Sequence, residues 1–110
     1  MHIGDLDGMG TYQGGKWTAN VTIIVHDTYH NPVANATVSG TWSNGASGRA
    51  SCTTGSNGQC SVSVSGISKG KSSVTFTVNN VTRATLSYTS ANNHDPDGSS
   101  NGTRIVVRRP

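Results

Sequence analysis

Four of the five acidic residues of this chain lie in two copies of one short motif, Asp-x-Asp-Gly. Asp5 and Asp7 belong to the first copy, and Asp95 and Asp97 belong to the second. Two carboxylates separated by one residue, with a glycine after them that lets the backbone turn, offer the oxygen ligands that Ca²⁺ prefers. The motifs therefore predict a calcium site whose ligands are Asp5, Asp7, Asp95 and Asp97.

One copy of the motif supplies too few ligands, because Ca²⁺ takes about six to eight oxygens. The chain contains no Glu that could close an EF-hand loop. If the final strand is the last strand of the sandwich, we expect both copies to lie at the same end of the fold and to share one ion; if it is an added eighth element, the two copies could lie far apart. Further oxygen ligands are expected from the neighbouring residues Asn92, Asn93, Ser99 or Asn101.

The same residues have two other interpretations. Asp, Asn, Gly and Pro all favour turns, so each motif can also form a turn without any metal. His2 and His94 stand just before the two motifs and keep a zinc-like site open, although such His-Asp pairs are weak evidence for one.

Cys52 and Cys60 are the only cysteines of the chain. They flank residues 55–58, in which Asn57-Gly58 is a strong hairpin signal. Both cysteines fall on the inward side of the predicted hairpin strands, so a disulfide is expected in a small exported domain. Its short loop would contribute somewhat under about 3 kcal/mol of stability. Two buried free thiols are the alternative.

The sequence contains no arrangement that predicts catalysis. A glycosidase needs two carboxylates in different environments, whereas these Asp pairs lie in turn-like, solvated segments. No nucleophile-elbow motif accompanies the many serines, and a cysteine nucleophile would forfeit the disulfide. We therefore expect a domain that is not an enzyme.

Sugar binding is the alternative function, because a bound calcium ion can ligate sugar hydroxyls directly. Flat exposed rings are also needed, and the apolar alternation assigns Trp17, Trp42 and Phe76 to the core. The remaining candidates for contacts with a polysaccharide or a cell-surface glycan are Tyr12 and Tyr29, in separate loops, and His94.

Charge and hydropathy exclude two classes of partner. The net charge is +3, but the basic residues are scattered, whereas a nucleic-acid-binding protein concentrates them on one face. No stretch approaches the roughly 20 apolar residues of a membrane-spanning helix. The N-terminus also lacks the basic start and apolar core of a signal peptide, so we expect a mature protein or an excised domain.

Bursts of Val, Ile and Thr between turn residues predict about seven strands and no helix. The clearest alternation covers residues 16–25, and other strands are expected over 36–42, on both sides of 55–58, and over 73–79, 84–88 and 104–108. Residues 89–102 are predicted to form a long polar loop. The fold class is therefore all-β, an immunoglobulin-like β-sandwich of antiparallel strands in a single domain, residues 1–110.

Residues 21–27 and 31–38 read VTIIVHD and NPVANATV. They resemble bacterial Ig-like domains of the invasin/intimin kind, in which a V-T-V-x-D strand leads into GNPVAGATV. The resemblance covers roughly residues 16–90, and Cys60 stands where the family has a small residue. The chain is similar also to accessory domains of secreted bacterial hydrolases. The resemblance implies an extracellular, non-catalytic spacer or accessory module whose partners are neighbouring domains of a parent protein.

Overall fold

A computed structural model describes residues 1–95 and 100–110 of the chain. Within these residues, seven strands form two antiparallel sheets, which confirms the all-β, immunoglobulin-like sandwich. One sheet has the order β1-β2-β5, and the other has the order β4-β3-β6-β7. The strands are β1 (His2–Gln13), β2 (Lys16–His26), β3 (Thr37–Ser43), β4 (Arg49–Thr53), β5 (Gln59–Ser68), β6 (Ser73–Thr82) and β7 (Arg104–Arg108).

The core lies between the two sheets and follows the predicted alternation. Every second side chain of β2, from Trp17 to Val25, is fully buried. Trp42 and Phe76 come from the opposite sheet, with their ring centroids 5.0 Å apart. The assignment of Trp17, Trp42 and Phe76 to the core is therefore confirmed.

Strand β1 is not among the strands that the sequence predicts. It pairs with β2 along its whole length, and a β-bulge lies between Ile3 and Asp5. Ile3 and Leu6 both point into the core, although residues three apart in a regular strand face opposite sides. The extra residue of the bulge brings the side chains of Ile3 and Leu6 to the same side of the strand. His2, Asp5 and Asp7 therefore all project from the other side of β1, which faces away from the core.

Glycines in β1 allow β7 to pack closely against it. A Cβ atom at Gly8 would lie 2.8 Å from a methyl carbon of Val107, and one at Gly10 would lie 2.7 Å from the carbonyl oxygen of Arg108. The Asp- and Gly-rich start of the chain is therefore a strand because of its tertiary contacts and not because of its strand propensity.

The strand predicted over 84–88 is wrong. This part of the chain forms a turn with an isolated bridge between Arg83 and Leu86, and Thr85 has a φ of 69°. A β-branched residue in the left-handed region does not continue a strand.

The hairpin predicted around residues 55–58 is also wrong, whereas its disulfide is confirmed. Cys52 and Cys60 are bonded, but β4 pairs with β3 and β5 pairs with β2. The carbonyl oxygen of Gly58 accepts a hydrogen bond from the backbone N–H of Val25 at 2.9 Å, which commits the chain after the turn to the sheet of β2. The disulfide therefore links the two sheets.

Candidate metal centres

The first residues of the chain are held against residues 87–95 by backbone hydrogen bonds. The nitrogen of Met1 donates to the carbonyl of Ser87 at 2.7 Å, and the N–H of Thr89 donates to the carbonyl of Met1 at 2.9 Å. Farther along, the N–H of His94 donates to the carbonyl of Ile3 at 3.1 Å. These bonds bring together the two regions that contain the Asp-x-Asp-Gly motifs.

Two asparagines of the polar loop make side-chain hydrogen bonds there, Asn93 to β1 and Asn101 within the loop itself. The Oδ1 atom of Asn93 accepts a hydrogen bond from the N–H of Ile3 at 2.7 Å, while its Nδ2 atom donates to Tyr88 at 2.6 Å and Thr103 at 3.0 Å. The Oδ1 atom of Asn101 accepts two backbone N–H groups at 2.9 and 2.7 Å. The side-chain oxygens of both residues thus have hydrogen-bond partners in the protein. Whether they also bind an ion, as the sequence predicts, stays a prediction.

The carboxylate cluster consists of Asp5, Asp7 and Asp95. Each offers one oxygen atom, and these oxygens lie within 4.8 Å of one another. The Oγ atom of Ser100 donates a hydrogen bond to Oδ2 of Asp95 at 2.6 Å. Of the four predicted ligands, these three meet in space, and Asp97 lies outside the described residues.

Negative charge is poorly accommodated at Asp5. Burial, hydrogen bonding with the carboxyl groups of Asp95 and Asp7, and the charges of those groups together raise its pKa to about 7. Its Oδ1 atom is inaccessible to solvent and has no hydrogen-bond partner within residues 1–95 and 100–110. A bound cation would compensate both the buried oxygen and the repulsion between the carboxylates.

The fifth acidic residue, Asp27, lies outside the carboxylate cluster and has a different role. Its carboxylate accepts the backbone N–H groups of Tyr29 at 2.8 Å and Asn31 at 3.0 Å. The hydrogen bonds from Asn31 are the main cause that lowers the pKa of Asp27, and the hydrogen bond from Tyr29 lowers it further. Asp27 therefore stabilises the turn that follows β2.

The histidine cluster consists of all four histidines of the chain, His2, His26, His30 and His94. One ring nitrogen from each lies within 4.8 Å of those of the others, and the ring centroids are 5.1 to 6.2 Å apart. His2 and His26 are direct neighbours across β1 and β2, His30 comes from the turn after β2, and His94 immediately precedes Asp95.

The ring of His2, at the start of β1, is buried, and that of His26, at the end of β2, is half-buried. His2 is only 3% exposed, and neither its Nε2 atom nor the Nδ1 atom of His26 has a hydrogen-bond partner among the residues that the structure describes. Burial, followed by the charges of the other histidines, lowers the pKa of both His2 and His26. These conditions favour neutral imidazoles, the form that binds metal ions.

Sequence reasoning singled out His2 and His94 but missed His26 and His30. The available signal was their spacing, since a His-x-x-x-His pair spans the turn at the end of a predicted strand. Placing that pair beside His2 requires the pairing of β1 with β2, which the sequence does not reveal.

The two tyrosines proposed as glycan contacts do not form one platform. Tyr12 lies in β1 and not in a loop; its hydroxyl donates to the carbonyl of Pro110 at 2.9 Å, and the amine of Lys69 lies 5.3 Å from its ring centroid. Tyr29 is 82% exposed and follows the opposite end of β2. His94, the third candidate, belongs to the histidine cluster.

The family described as Bacterial Ig-like domain (group 1) matches this chain over residues 14–93. The chain belongs to the bacterial Ig-like domain family. Domains of this family are generally non-catalytic. The matched range of the Ig-like domain begins after β1 and ends before His94, so the family does not account for the carboxylate cluster.

Comparisons with curated proteins and with solved structures gave no match. In the described part of this Ig-like domain, no helix is long and apolar enough to cross a membrane.

Proposed function

We propose that this chain is a non-catalytic, extracellular accessory or spacer module of a larger secreted or surface bacterial protein, stabilised by one calcium ion. The ligands are the carboxylates of Asp5, Asp7 and Asp95. The ion would join β1 to the segment that precedes β7. The main support for this proposal is that carboxylates from two motifs far apart in the sequence lie close together in space.

The donor set suits a hard cation. Three carboxylates supply up to about six oxygens when each binds through both of its atoms, and backbone carbonyls or water can complete the coordination of Ca²⁺. The buried, unpartnered Oδ1 atom of Asp5 supports this assignment, because a buried acceptor without a donor is unfavourable. Three neighbouring carboxylates also repel each other until a cation neutralises them.

The ion's effect would be structural. Residues 1–3 already bond to residues 87–94 through their backbones, and an ion shared by Asp5 and Asp95 would strengthen the same connection. Because it would bind the folded state only, it would stabilise that state by mass action.

The extracellular location is supported by the family and by the Cys52–Cys60 disulfide. Disulfides persist in oxidising compartments and are rare in the cytosol. Extracellular modules also bind Ca²⁺ with low affinity, at dissociation constants of about 0.1 to 1 mM, because calcium is abundant outside cells.

Thermal unfolding in excess calcium and in chelator tests the calcium site. At a free concentration about 100-fold above the dissociation constant, binding adds about 2.7 kcal/mol to the free energy of unfolding. For a domain of this size the midpoint should rise by roughly 10 °C or more.

The variant Asp7→Asn distinguishes a calcium site from a turn that forms without any metal. The substitution removes a ligand and also a repulsive charge, so it should lower the midpoint in calcium and leave it unchanged or higher in chelator. Asp27→Asn is the matched control and should change the midpoint equally in both conditions. Equal effects of Asp7→Asn in calcium and in chelator would reject the calcium site.

A further inference from the structure

We propose that His2, His26, His30 and His94 bind one divalent transition-metal ion of the Zn²⁺ class, at a site separate from the carboxylate cluster. The four side chains come from three different parts of the fold, and together they are every histidine in the chain.

The burial of His2 distinguishes this cluster from a chance meeting of surface histidines, while His26 and His94 are half-buried and His30 is exposed. His2 is 3% exposed. Within the described part of the chain, neither its Nε2 atom nor the Nδ1 atom of His26 has a hydrogen-bond partner. Leaving a buried polar atom unsatisfied is unfavourable. A metal ion among the rings would give the unpartnered nitrogen of His2 a ligand bond.

The spacing of the rings is close to what a metal ion requires. Tetrahedral Zn–N bonds of about 2.0–2.1 Å place the ligand nitrogens roughly 3.3 Å apart. The four ring nitrogens lie within 4.8 Å of one another, so small side-chain rotations bring them onto one ion. His30 lies in a turn and His94 in an irregular segment, where such adjustments disturb no strand pairing.

Residues around the rings support their orientation. The Nδ1 atom of His94 lies 3.3 Å from the carbonyl oxygen of Asn92. If Nδ1 carries the proton and donates to that oxygen, Nε2 is left with its lone pair for the metal, which is the usual outer-shell arrangement of metal-binding histidines. Gly4 in the bulge leaves room for the ring of His26, which a Cβ atom at this position would overlap.

The donor atoms determine which ion is chosen. Imidazole nitrogens suit Zn²⁺, Cu²⁺ and Ni²⁺, whereas Ca²⁺ is bound through oxygen. A cluster of four imidazoles matches the tetrahedral preference of Zn²⁺. A cleft lined by His2, Thr28, His30 and Asn92 connects the rings with solvent and gives the ion an entry path.

Calorimetric titration of the untagged chain with Zn²⁺ tests the site. We expect one Zn²⁺ per chain in the wild type. His30→Gln should weaken binding by more than about 100-fold, because the loss of an outer-shell partner alone costs about 10–100-fold. Tyr29→Gln, in the same exposed turn, is the control and should bind like the wild type. Absence of saturable binding, or equal binding by both variants, would overturn the proposal.

Two measurements on the wild type keep the test independent of variant folding. Co²⁺ in place of Zn²⁺ should give the intense visible absorption of a tetrahedral complex, and nitrogen NMR should show shifts in the rings of all four histidines on Zn²⁺ addition. A pale octahedral Co²⁺ spectrum, shifts at fewer than four rings, or binding of Cu²⁺ without binding of Zn²⁺ would contradict a four-imidazole zinc site. Calcium in the same solution should leave all these results unchanged, so either site can fail without the other.

Discussion

The carboxylate cluster and the histidine cluster both contain residues from the start of β1 and from the segment before β7, and the histidine cluster also includes the end of β2 and the turn after it. In both, burial is the foremost cause of the pKa shifts, yet the shifts have opposite signs. Burial raises the pKa of Asp5 and lowers the pKa of His2, because a low dielectric favours the uncharged form of either group. The same environment thus contains carboxylate oxygens for which the negative charge is unfavourable and histidine nitrogens for which the positive charge is unfavourable. The type of donor atom alone would direct Ca²⁺ to the carboxylate cluster and Zn²⁺ to the neighbouring histidine cluster.

Crossing the two sets of variants gives the largest expected effect. Asp7→Asn should abolish the stabilisation by Ca²⁺ and keep that by Zn²⁺, and His30→Gln should do the reverse. At a free ion concentration about 100-fold above each dissociation constant, the stabilisation lost is about 2.7 kcal/mol. Denaturant unfolding of both variants in each ion measures it. If either variant loses both responses, the two clusters form a single site.

The disulfide offers a comparison with a covalent connection at another place in the sandwich. Cys52 and Cys60 are separated by eight residues along the chain, for which the loop-entropy relation gives about 2.5 kcal/mol. The double variant Cys52→Ser with Cys60→Ser should lose about this much stability in denaturant unfolding and should retain its response to both ions. Loss of the ion responses would show that the sheets must be linked for the clusters to form.

Gly4→Ala should affect the histidine cluster more than the carboxylate cluster. The added methyl group overlaps the ring of His26, so we expect a loss of about 2 kcal/mol, typical of overpacking, together with weaker Zn²⁺ binding by calorimetry. Gly15→Ala is the matched control, because a Cβ atom there meets no atom within 4 Å. Zn²⁺ binding as strong as in the control would show that the ring of His26 does not need this space.

The smallest net effect is expected from pH in the metal-free wild type, because the contributions of Asp5 and of the histidines have opposite signs. The pKa of Asp5 is raised from 3.8 to about 7, so the folded state holds a proton that the unfolded state has lost. This contribution is present below pH 4 and disappears as the pH rises towards 7. The lowered pKa values of His2 and His26 act in the opposite sense, because their contribution is lost as the pH falls below about 6.5.

Asp5→Asn separates these two contributions to pH dependence. Without the proton on Asp5, only the histidine trend remains, so lowering the pH from 7 to 5 should destabilise the variant more than the wild type. Denaturant unfolding of chelator-treated proteins at both pH values measures the difference. Equal losses would place the titration of Asp5 near its ordinary value.

The sequence allowed most of the core to be predicted, because the inward residues of β2, β3 and β6 alternate with a period of two. Strand β1 escaped prediction for a physical reason. Its bulge at Gly4 breaks the alternation, and its later glycines are small because β7 packs against them. The strand proposed over 84–88 has the right residue types, but the backbone turns there.

The two candidate sites differ in how far the sequence predicts them. The carboxylate cluster could be anticipated because its members share a motif that occurs twice in the chain. The histidine cluster could not, because His26 and His30 meet His2 only through the pairing of β1 with β2. Local patterns reveal ligands that lie close in sequence, whereas ligands from separate strands require the topology.

The neighbouring positions of β1 and β7 have a mechanical consequence. Gly8 lies beside Val107, Gly10 beside Arg108, and Tyr12 bonds to Pro110, so the two strands run in the same direction. Residues 1 and 110 therefore lie towards opposite ends of a body 44 Å long. Tension applied between them would slide β1 along β7 in shear and would pull first on the region around Asp5 and His2. Ions bound there would set the force at which the first strand detaches.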